Sequence, residues 1–257
     1  MIDIHTHDVH KRGAGVVCGN PEAVRQWCDR WPDGVFSTGI HPWETGSITP
    51  RQIEQQLELL EQVAALPQVR AIGETGLDRL RGADADMQEM IFRRHIELGE
   101  KLGKPIILHV VKSSDRLSAI RKELAPRLTT PWIWHGFRGK PQAALQFLST
   151  ATPQSPVYIS LGEKFNYETA GIIPDSNLLA ETDDAPTDIT NVIRKLAEVR
   201  HTPEQHLTEC ISNNCTAILG GILFKRLSKT ILSYRTSTVL ELRGGKAGQV
   251  LEVFSKR

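Results

Sequence analysis

Short apolar runs rich in β-branched residues alternate along this chain with longer segments that have the hydrophobic spacing of helices. This alternation predicts repeated strand–helix units around a parallel sheet, an α/β fold. Eight strand candidates can be counted: Ile2–His5, Ala14–Cys18, Val35–Ile40, Arg70–Gly73, Pro105–His109, Pro131–His135, Pro156–Leu161 and Asn177–Glu181. The first strand–helix unit is predicted to be truncated, because the seven residues 7–13 are too few for a full helix.

Helix start signals support the pattern. At Thr49-Pro50-Arg51-Gln52, the threonine can accept from a free backbone N–H, the proline suits the first helical position, and the glutamine can complete a capping box. Thr202-Pro203-Glu204-Gln205 repeats that design. The segment 86–102 places apolar residues on one face, as an outer helix would.

The alternation fades after about residue 220, which divides the 257-residue chain into a predicted barrel domain (1–220) and a C-terminal extension (221–257). Short apolar runs around Gly244-Gly245 predict short strands or a hairpin in the extension. Its formal charge is +6, against −5 for residues 1–220. A basic extension suits docking to a protein partner or a grip on nucleic acid, and an ordinary solvated surface is equally compatible with it.

Composition excludes several classes of protein. With 40% hydrophobic and 24% charged residues, the chain is expected to form a packed core. No apolar run is long enough to span a membrane, and the first residues do not read as a secretory signal, so we expect no membrane association and a cytoplasmic location. The four cysteines form no CxxC pair, so neither a zinc finger nor a thioredoxin-like centre is predicted.

Side chains able to bind metal fall at the carboxyl ends of predicted strands. They are His5 and His7 on the first strand, Glu74 on the fourth, His109 on the fifth, His135 on the sixth and Asp183 on the eighth. Parallel barrel strands bring these ends to one rim, where barrel enzymes place their active sites. Residues two apart on a strand share a face, so His5 and His7 can reach one ion.

Imidazole and carboxylate groups together suit a centre of two divalent cations, with Mg, Mn and Zn all chemically suitable and Glu74 able to bridge them. Any one of these histidines could instead be satisfied by a backbone hydrogen bond. Four histidines and two acids at successive strand ends favour a metal centre, and such a centre can activate water for hydrolysis.

Four motifs in this order resemble those of TatD-related hydrolases: Ile2-Asp3-Ile4-His5-Thr6-His7, Gly39-Ile40-His41-Pro42-Trp43, Gly73-Glu74-Thr75-Gly76-Leu77-Asp78 and Glu181-Thr182-Asp183. The resemblance runs from about residue 1 to 220. It implies a distorted TIM barrel of the amidohydrolase type. It assigns His5, His7 and Asp183 to one metal, His109 and His135 to a second, and Glu74 to the position between them.

The resemblance also implies that Asp183 orients or deprotonates the attacking water. His41 would bind phosphate or contact the leaving group. Because the family includes Mg-dependent nucleases, the implied substrate is DNA, as single strands or frayed ends.

Positive groups beyond the strand ends would then hold phosphates. The candidates are Lys112 and Arg138, with Arg79 and Lys164 as further ones, and any of them could be a solvated loop charge. Trp43 and Phe137 could stack on bases or be buried at the rim. The run Val110-Val111-Lys112 departs from the family, which commonly has a small residue and then an arginine after this histidine. A lysine lacks the planar fork of arginine.

Three functions therefore remain open from the sequence. The first is a metal-dependent deoxyribonuclease. The second is a hydrolase of a small amide, ester or phosphoester, since related barrels use similar ligands for many substrates. The third is a scaffold without catalysis, which recruits partners through its basic extension.

Overall fold

The computed structural model describes residues 3–220, and it contains eight parallel strands joined in chain order into one sheet. The strands are β1 (Asp3–Thr6), β2 (Gly15–Gly19), β3 (Phe36–Thr38), β4 (Val69–Asp78), β5 (Ile106–Val111), β6 (Trp132–Trp134), β7 (Val157–Leu161) and β8 (Leu178–Ala180). The helices are α1 (Pro21–Arg30), α2 (Pro50–Ala64), α3 (Ala85–Leu102), α4 (Ser114–Leu124), α5 (Pro141–Leu148), α6 (Tyr167–Ile172), α7 (Ile189–Val199) and α8 (Glu204–Leu219). Strands and helices alternate around a nearly closed TIM barrel, which confirms the predicted fold.

The first unit is truncated, as predicted, because a three-residue 3-10 turn (Val9–Lys11) takes the place of a helix between β1 and β2. The predicted extension, residues 221–257, lies outside the described residues. The short strands predicted within it and its basic charge therefore stay predictions. Within residues 3–220, no helix is long and apolar enough to cross a membrane.

The barrel is completed by backbone pairing between β1 and the segment after β8. Thr6 forms a parallel bridge with Asp183. The Asp183 N–H donates to the carbonyl of His5 at 3.0 Å, and its own carbonyl accepts from the N–H of His7 at 3.0 Å. Asp183 is therefore held between the two histidines by the hydrogen bonds that bring the first and last strands together.

Strands β4 and β5 run further than the sequence predicts. The β4 candidate stops at Gly73, whereas the strand continues to Asp78, so Glu74 lies within it and not at its end. Likewise β5 continues past His109 to Val111. The glycines of β4 explain the difference: Gly76 has a φ of 142°, a conformation disfavoured for side-chain-bearing residues, and pairs closely with His109.

The predicted capping of helix starts is confirmed at α2 and is wrong at α8. Thr49 and Gln52 form the predicted capping box at the start of α2. At α8 the capping prediction was wrong: Pro203 occupies the cap position without a side-chain hydrogen bond, and the Thr202 hydroxyl donates to the carbonyl of Arg200. This hydroxyl is thus engaged by the preceding turn.

The core lies between the strands and the surrounding helices. Strand residues such as Ile4, Val17 and Ile107 are fully buried, and α1 adds Val24 to a cluster with β2 and β3. Because both faces of a parallel barrel are covered, these strands read as nearly continuous apolar runs. The candidate site lies at the carboxyl rim of these strands.

Candidate metal centre

The carboxyl ends of the strands surround a cleft of about 1030 Å³. Its lining includes His7, His41, Glu74, His109, His135 and Asp183, and His5 lies fully buried beneath them. The structure thus brings together all six predicted ligands together with His41, although 178 positions separate His5 from Asp183 in the sequence. Parallel barrel topology produces this convergence.

Glu74 occupies the centre of the group, and its two carboxylate oxygens face different histidines. The Oε1 atom lies 3.4 Å from His5 Nε2 and 3.0 Å from His7 Nε2. The Oε2 atom lies 3.4 Å from His41 Nε2, 3.5 Å from His109 Nδ1 and 2.7 Å from His135 Nε2. The side chain is 5% exposed. One buried carboxylate therefore serves two sets of imidazoles.

Asp183 contacts two of the same histidines, His5 and His7. Its φ of 53° lies in the left-handed region, which aspartate tolerates better than most residues with a side chain. The Oδ1 atom lies 3.6 Å from His5 Nε2 and 3.5 Å from His7 Nε2. The unusual backbone conformation and the barrel-closing hydrogen bonds together direct this carboxylate into the cleft.

The electrostatics of the site favour positive charge between the carboxylates. Burial works to raise the pKa of Glu74, yet the neighbouring His135 and His5 hold it well below its usual range. Burial and His135 work to lower the pKa of His5, but Glu74 and Asp183 raise it overall to about 9. For Asp183, His5 overcomes the opposing effect of burial and lowers the pKa to about 2.

Three buried nitrogen atoms of the site lack a hydrogen-bond partner among residues 3–220. They are both ring nitrogens of His5 and the Nδ1 atom of His135. Buried polar atoms are normally satisfied, so unpartnered imidazole nitrogens facing carboxylates fit a bound cation. At this site, three sets of possible ligand atoms each lie within 4.8 Å of one another: His5, His135 and Asp183; His5, His7 and Glu74; and His41, Glu74 and His109.

His41 lies among the predicted metal ligands, with its Nε2 atom 3.4 Å from Glu74 Oε2. Its ring centroid is 4.3 Å from that of His109, and its Nδ1 accepts from the backbone N–H of Trp43 at 3.1 Å. The Nε2 atom is left to face Glu74 and the cleft. Below it, the Nε2 atom of buried His95 accepts from the N–H of Ile40 at 2.9 Å, which fixes the segment that carries His41.

Sequence reasoning assigned no role to two acids that contact the histidines. Asp78 Oδ2 lies 3.1 Å from His109 Nε2 and accepts from Trp43 Nε1 at 2.6 Å. Glu181 Oε1 lies 3.4 Å from His135 Nδ1 and accepts from the N–H of Gly136 at 2.6 Å. Both acids stand in the motifs that carry the family resemblance, and that position was the available signal.

A third acid, Asp3, supports the segment that leads to Asp183. Its carboxylate accepts from both the N–H and the hydroxyl of Thr182. Burial raises the pKa of Asp3 to about 6, although these hydrogen bonds act in the opposite direction. Lys11 also reaches Thr182, with its Nζ 2.9 Å from the hydroxyl. The truncated first unit thus helps to hold the last strand end in place.

The four predicted cationic side chains differ in which cleft they line. Lys112 and Arg138 line the main cleft. Arg138 also lines a smaller adjoining cleft of about 220 Å³, together with Lys164 and Asp183. Arg79 is absent from the lining of both clefts.

The two aromatic candidates differ in exposure. Trp43 is 48% exposed at the rim of the cleft, with the guanidinium carbon of Arg81 4.3 Å from the centre of its ring. Phe137 is only 1% exposed and packs edge-on against Trp134. Of the two alternatives, stacking on bases or burial at the rim, this geometry favours burial. Trp43 alone of this pair presents a large aromatic surface to solvent.

Comparison with known proteins identifies the family. A family model described as TatD related DNase matches residues 14–220. The chain belongs to this family. The TatD-family chain is 27% identical over 199 residues to the metal-dependent hydrolase YjjV of Escherichia coli K12, an alignment that spans 68% of the chain and 73% of YjjV. Most of the relatives found bear the name metal-dependent hydrolase, which supports divalent-metal use.

A relative from a Rahnella species is named 3'-5' ssDNA/RNA exonuclease TatD, and it is 30% identical over 141 residues. That alignment covers 54% of this chain and 48% of the relative, so the chain spans about half the length of this relative. A Buchnera aphidicola hydrolase is similarly matched over 55% of its length.

Solved structures give the same fold. The crystal structure of the Escherichia coli YjjV protein superposes with a TM-score of 0.70 at 22% identity, covering 85% of this chain and 97% of that one. A TatD family hydrolase from Entamoeba histolytica gives 0.69 at 17% identity, with 85% and 97% coverage. At such identities the likeness concerns the barrel alone.

Proposed function

We propose that this chain is a divalent-metal-dependent deoxyribonuclease, which hydrolyses phosphodiester bonds of DNA at single strands or frayed ends. The observation that carries the proposal is the division of the Glu74 carboxylate between two sets of histidines, at 3.0 to 3.4 Å on Oε1 and 2.7 to 3.5 Å on Oε2. A carboxylate in this arrangement suits a bridge between two cations, and paired cations suit phosphodiester hydrolysis.

The donor set fits Mg, Mn or Zn. His5, His7 and Asp183 would hold one ion, His109 and His135 the second, with Glu74 between them. When bound, such a pair activates a water molecule and stabilises the charge that develops on the phosphate oxygens.

The protein's own groups have separate tasks in this proposal. Asp183 is 22% exposed and remains a carboxylate at neutral pH, so it can accept a hydrogen bond from the attacking water and orient it. His41, 19% exposed above Glu74, would contact the phosphate or the leaving oxygen. Lys112 and Arg138 would neutralise neighbouring phosphates from the cleft wall.

Support for a nucleic-acid substrate comes from two directions. The Rahnella relative is named as an exonuclease of single-stranded DNA and RNA. In this chain, Trp43 offers an exposed ring at the edge of the cleft, and stacking on an aromatic side chain is available only to unpaired bases. A splayed strand end therefore suits the rim better than an intact duplex.

The proposal is tested by incubating the full chain with end-labelled single-stranded DNA, duplex DNA and RNA in Mg, Mn or Zn. We expect cleavage of single-stranded DNA, and a loss of at least about 100-fold in the variant Glu74→Gln, since its amide cannot supply two anionic oxygens. The matched control is Glu58→Gln, which changes an exposed residue of α2 and should retain wild-type activity. Circular dichroism would verify that both variants are folded.

Failure to cleave any of these polymers while calorimetry shows bound metal would contradict the nuclease proposal. Retention of activity in Glu74→Gln would contradict the assigned site. The small-molecule alternative is favoured by one observation: Val111 stands where the family commonly carries an arginine, and the neighbouring Lys112 lacks the planar fork with which arginine binds phosphate. Cleavage of a small phosphoester or amide in the same cleft, without cleavage of DNA, would establish that alternative.

A further inference from the structure

A second cluster of side chains able to bind a metal ion lies at the opposite end of the barrel from the cleft. Asp175 belongs to a 3-10 turn that leads into the amino end of β8. His206 and Cys210 lie in α8, one helical turn apart. The amino ends of barrel strands serve stability, whereas catalysis takes place at the carboxyl ends. This cluster is therefore separate from the proposed active site.

The three side chains already present their ligand atoms to one another. His206 Nε2 lies 3.1 Å from Asp175 Oδ2 and 3.5 Å from Cys210 Sγ. One ligand atom from each residue lies within 4.8 Å of the other two. Residues four apart share one face of a helix, so the imidazole and the thiol approach the carboxylate from the same side.

We propose that Asp175, His206 and Cys210 form a structural site for a thiophilic divalent cation of the Zn²⁺ class, with water as the fourth ligand. Zinc accepts thiolate, imidazole and carboxylate ligands in tetrahedral sites. On binding, the thiol of Cys210 loses its proton to solvent and the thiolate takes its place beside the cation. The cation would cross-link α8 to the turn that precedes β8.

Neighbouring groups hold the carboxylate in position for this task. Arg200 donates to the other oxygen of Asp175 at 2.5 Å, which leaves Oδ2 directed at His206. Asn214, also in α8, donates to the carbonyls of Asp175 at 2.7 Å and Leu178 at 2.9 Å, so the turn is fixed to the helix. The charge of Arg200 opposes a cation, but Asp175 and a Cys210 thiolate supply two negative charges against it.

The competing explanation is a surface hydrogen-bond network, in which the Nε2–H of His206 donates to Asp175 and the Cys210 thiol only lies beside that nitrogen. The two explanations differ in the state of the sulfur. In the network it remains a thiol, whereas in the metal site it becomes a thiolate bound to the ion. His206 is 55% exposed and Asp175 38% exposed, so an ion from solvent can reach the site without unfolding.

Cobalt(II) distinguishes the two explanations, because a thiolate bound to Co²⁺ gives a charge-transfer band in the near ultraviolet. The predicted ligands of the active centre contribute only nitrogen and oxygen and give no such band. We expect the reduced full chain, titrated with Co²⁺, to develop the band, and Zn²⁺ to remove it by displacement. The variants Cys210→Ser and His206→Gln should lose it or require at least about 10-fold more cobalt.

The matched control is Cys18→Ser, because Cys18 is the thiol that lines the active-site cleft, where its Sγ donates to the carbonyl of Gly73. This variant should keep the band, and so should Glu74→Gln. Absence of a band at saturating Co²⁺, its persistence in Cys210→Ser, or its loss in Cys18→Ser would overturn the proposal.

A second measurement keeps the proposal testable if Cys210→Ser does not fold. In the wild-type chain, Zn²⁺ should slow the reaction of Cys210 with a thiol reagent, since the bound thiolate is shielded. Asp175→Asn should weaken this protection at least about 10-fold. Equal reaction rates with and without Zn²⁺ would again overturn the proposal. Neither measurement depends on hydrolytic activity, so both are independent of the proposed nuclease function.

Discussion

At the scale of single residues, Asp78 links the metal centre to the exposed rim, because one carboxylate oxygen contacts both His109 and Trp43. Acids that orient metal-binding histidines typically affect metal affinity or activity 10- to 100-fold. We therefore expect Asp78→Asn to weaken Mn²⁺ binding by about 10- to 100-fold, because the neutral amide no longer fixes the tautomer of His109. Isothermal titration calorimetry measures this directly.

Asp86→Asn provides the matched control, since Asp86 is an exposed residue in the first turn of α3, away from the cleft. Its Mn²⁺ affinity should equal that of the wild type. If Asp78→Asn also binds like the wild type, Asp78 does not position His109.

Buried His95 gives a residue-scale prediction about pH. Burial lowers its pKa from 6.5 to about 4, and its neutral ring accepts from Ile40. Between pH 4 and 6.5 the unfolded chain binds more protons at this residue than the folded chain does, so folding stability must fall as the pH falls through this range. The full effect is about 3 kcal/mol.

His95→Gln removes the titrating group while its amide oxygen can still accept from Ile40. We expect the difference in unfolding free energy between wild type and variant to shift in favour of the variant by up to about 3 kcal/mol from pH 7 to pH 4. Urea denaturation at several pH values measures this shift. A difference that does not vary with pH would show that His95 does not titrate on unfolding in this range.

The same residues show what a sequence can and cannot reveal about the site. His5, His7, His109 and His135 could be predicted to converge because each lies in or directly after a recognisable strand, and parallel strands end at one rim. The pairing of Asp78 with His109, or of Glu181 with His135, depends on side-chain directions fixed by tertiary packing. Asp183 could be predicted as a ligand, but its left-handed backbone and its place between His5 and His7 come from barrel closure.

At the scale of elements, the two glycines of β4 allow that strand to pair with β5 through the metal site. A Cβ atom on Gly76 would lie 2.2 Å from the carbonyl oxygen of His109, and the φ of 142° is strained for any residue with a side chain. We expect Gly76→Ala to lower the free energy of unfolding by about 3 kcal/mol and to weaken metal binding, because β5 must shift with His109.

Gly171→Ala is the matched control, since a Cβ atom on this α6 residue would meet nothing within 4 Å. Alanine in a helix should leave stability unchanged or raise it by about 0.5 to 1 kcal/mol. Denaturant unfolding compares the two variants. Equal stabilities would mean that the β4–β5 pair can absorb the extra carbon atom.

The ends of a helix or strand can be predicted from the sequence where neighbouring residues determine them. They cannot be predicted where a distant segment determines them. Thr49, Pro50 and Gln52 specify the start of α2 through contacts within four residues. The sequence predicts that β4 ends at Gly73, whereas the strand runs on to Asp78. The strand continues because it is paired on the far side by β5, a contact some thirty residues away that sequence periodicity does not contain.

At the scale of the whole molecule, the centre joins strands from all around the barrel, so cation binding and folding must be coupled. Its ligands come from β1 and the residue after it, from β4 and β5, and from the segments after β6 and β8, and Asp183 also closes the sheet. An ion that binds only this folded arrangement stabilises it according to concentration and affinity. The alternation of strands and helices in the sequence is sufficient to predict that such a centre joins the first and last strands of the barrel.

Removal of the cation should therefore lower the thermal stability of the full chain. At about 100 times the dissociation constant, Mn²⁺ contributes about 2.7 kcal/mol, which corresponds to about 5 to 10 °C in Tm for a domain of this size. Scanning calorimetry with Mn²⁺ and with a chelator measures the shift.

Manganese is the appropriate ion because the Asp175, His206 and Cys210 cluster contains a sulfur ligand that Mn²⁺ does not favour. Cys210→Ser should retain the shift, whereas Glu74→Gln should lose most of it. An equal shift in Glu74→Gln would mean that Mn²⁺ stabilises the protein at some place other than the proposed centre.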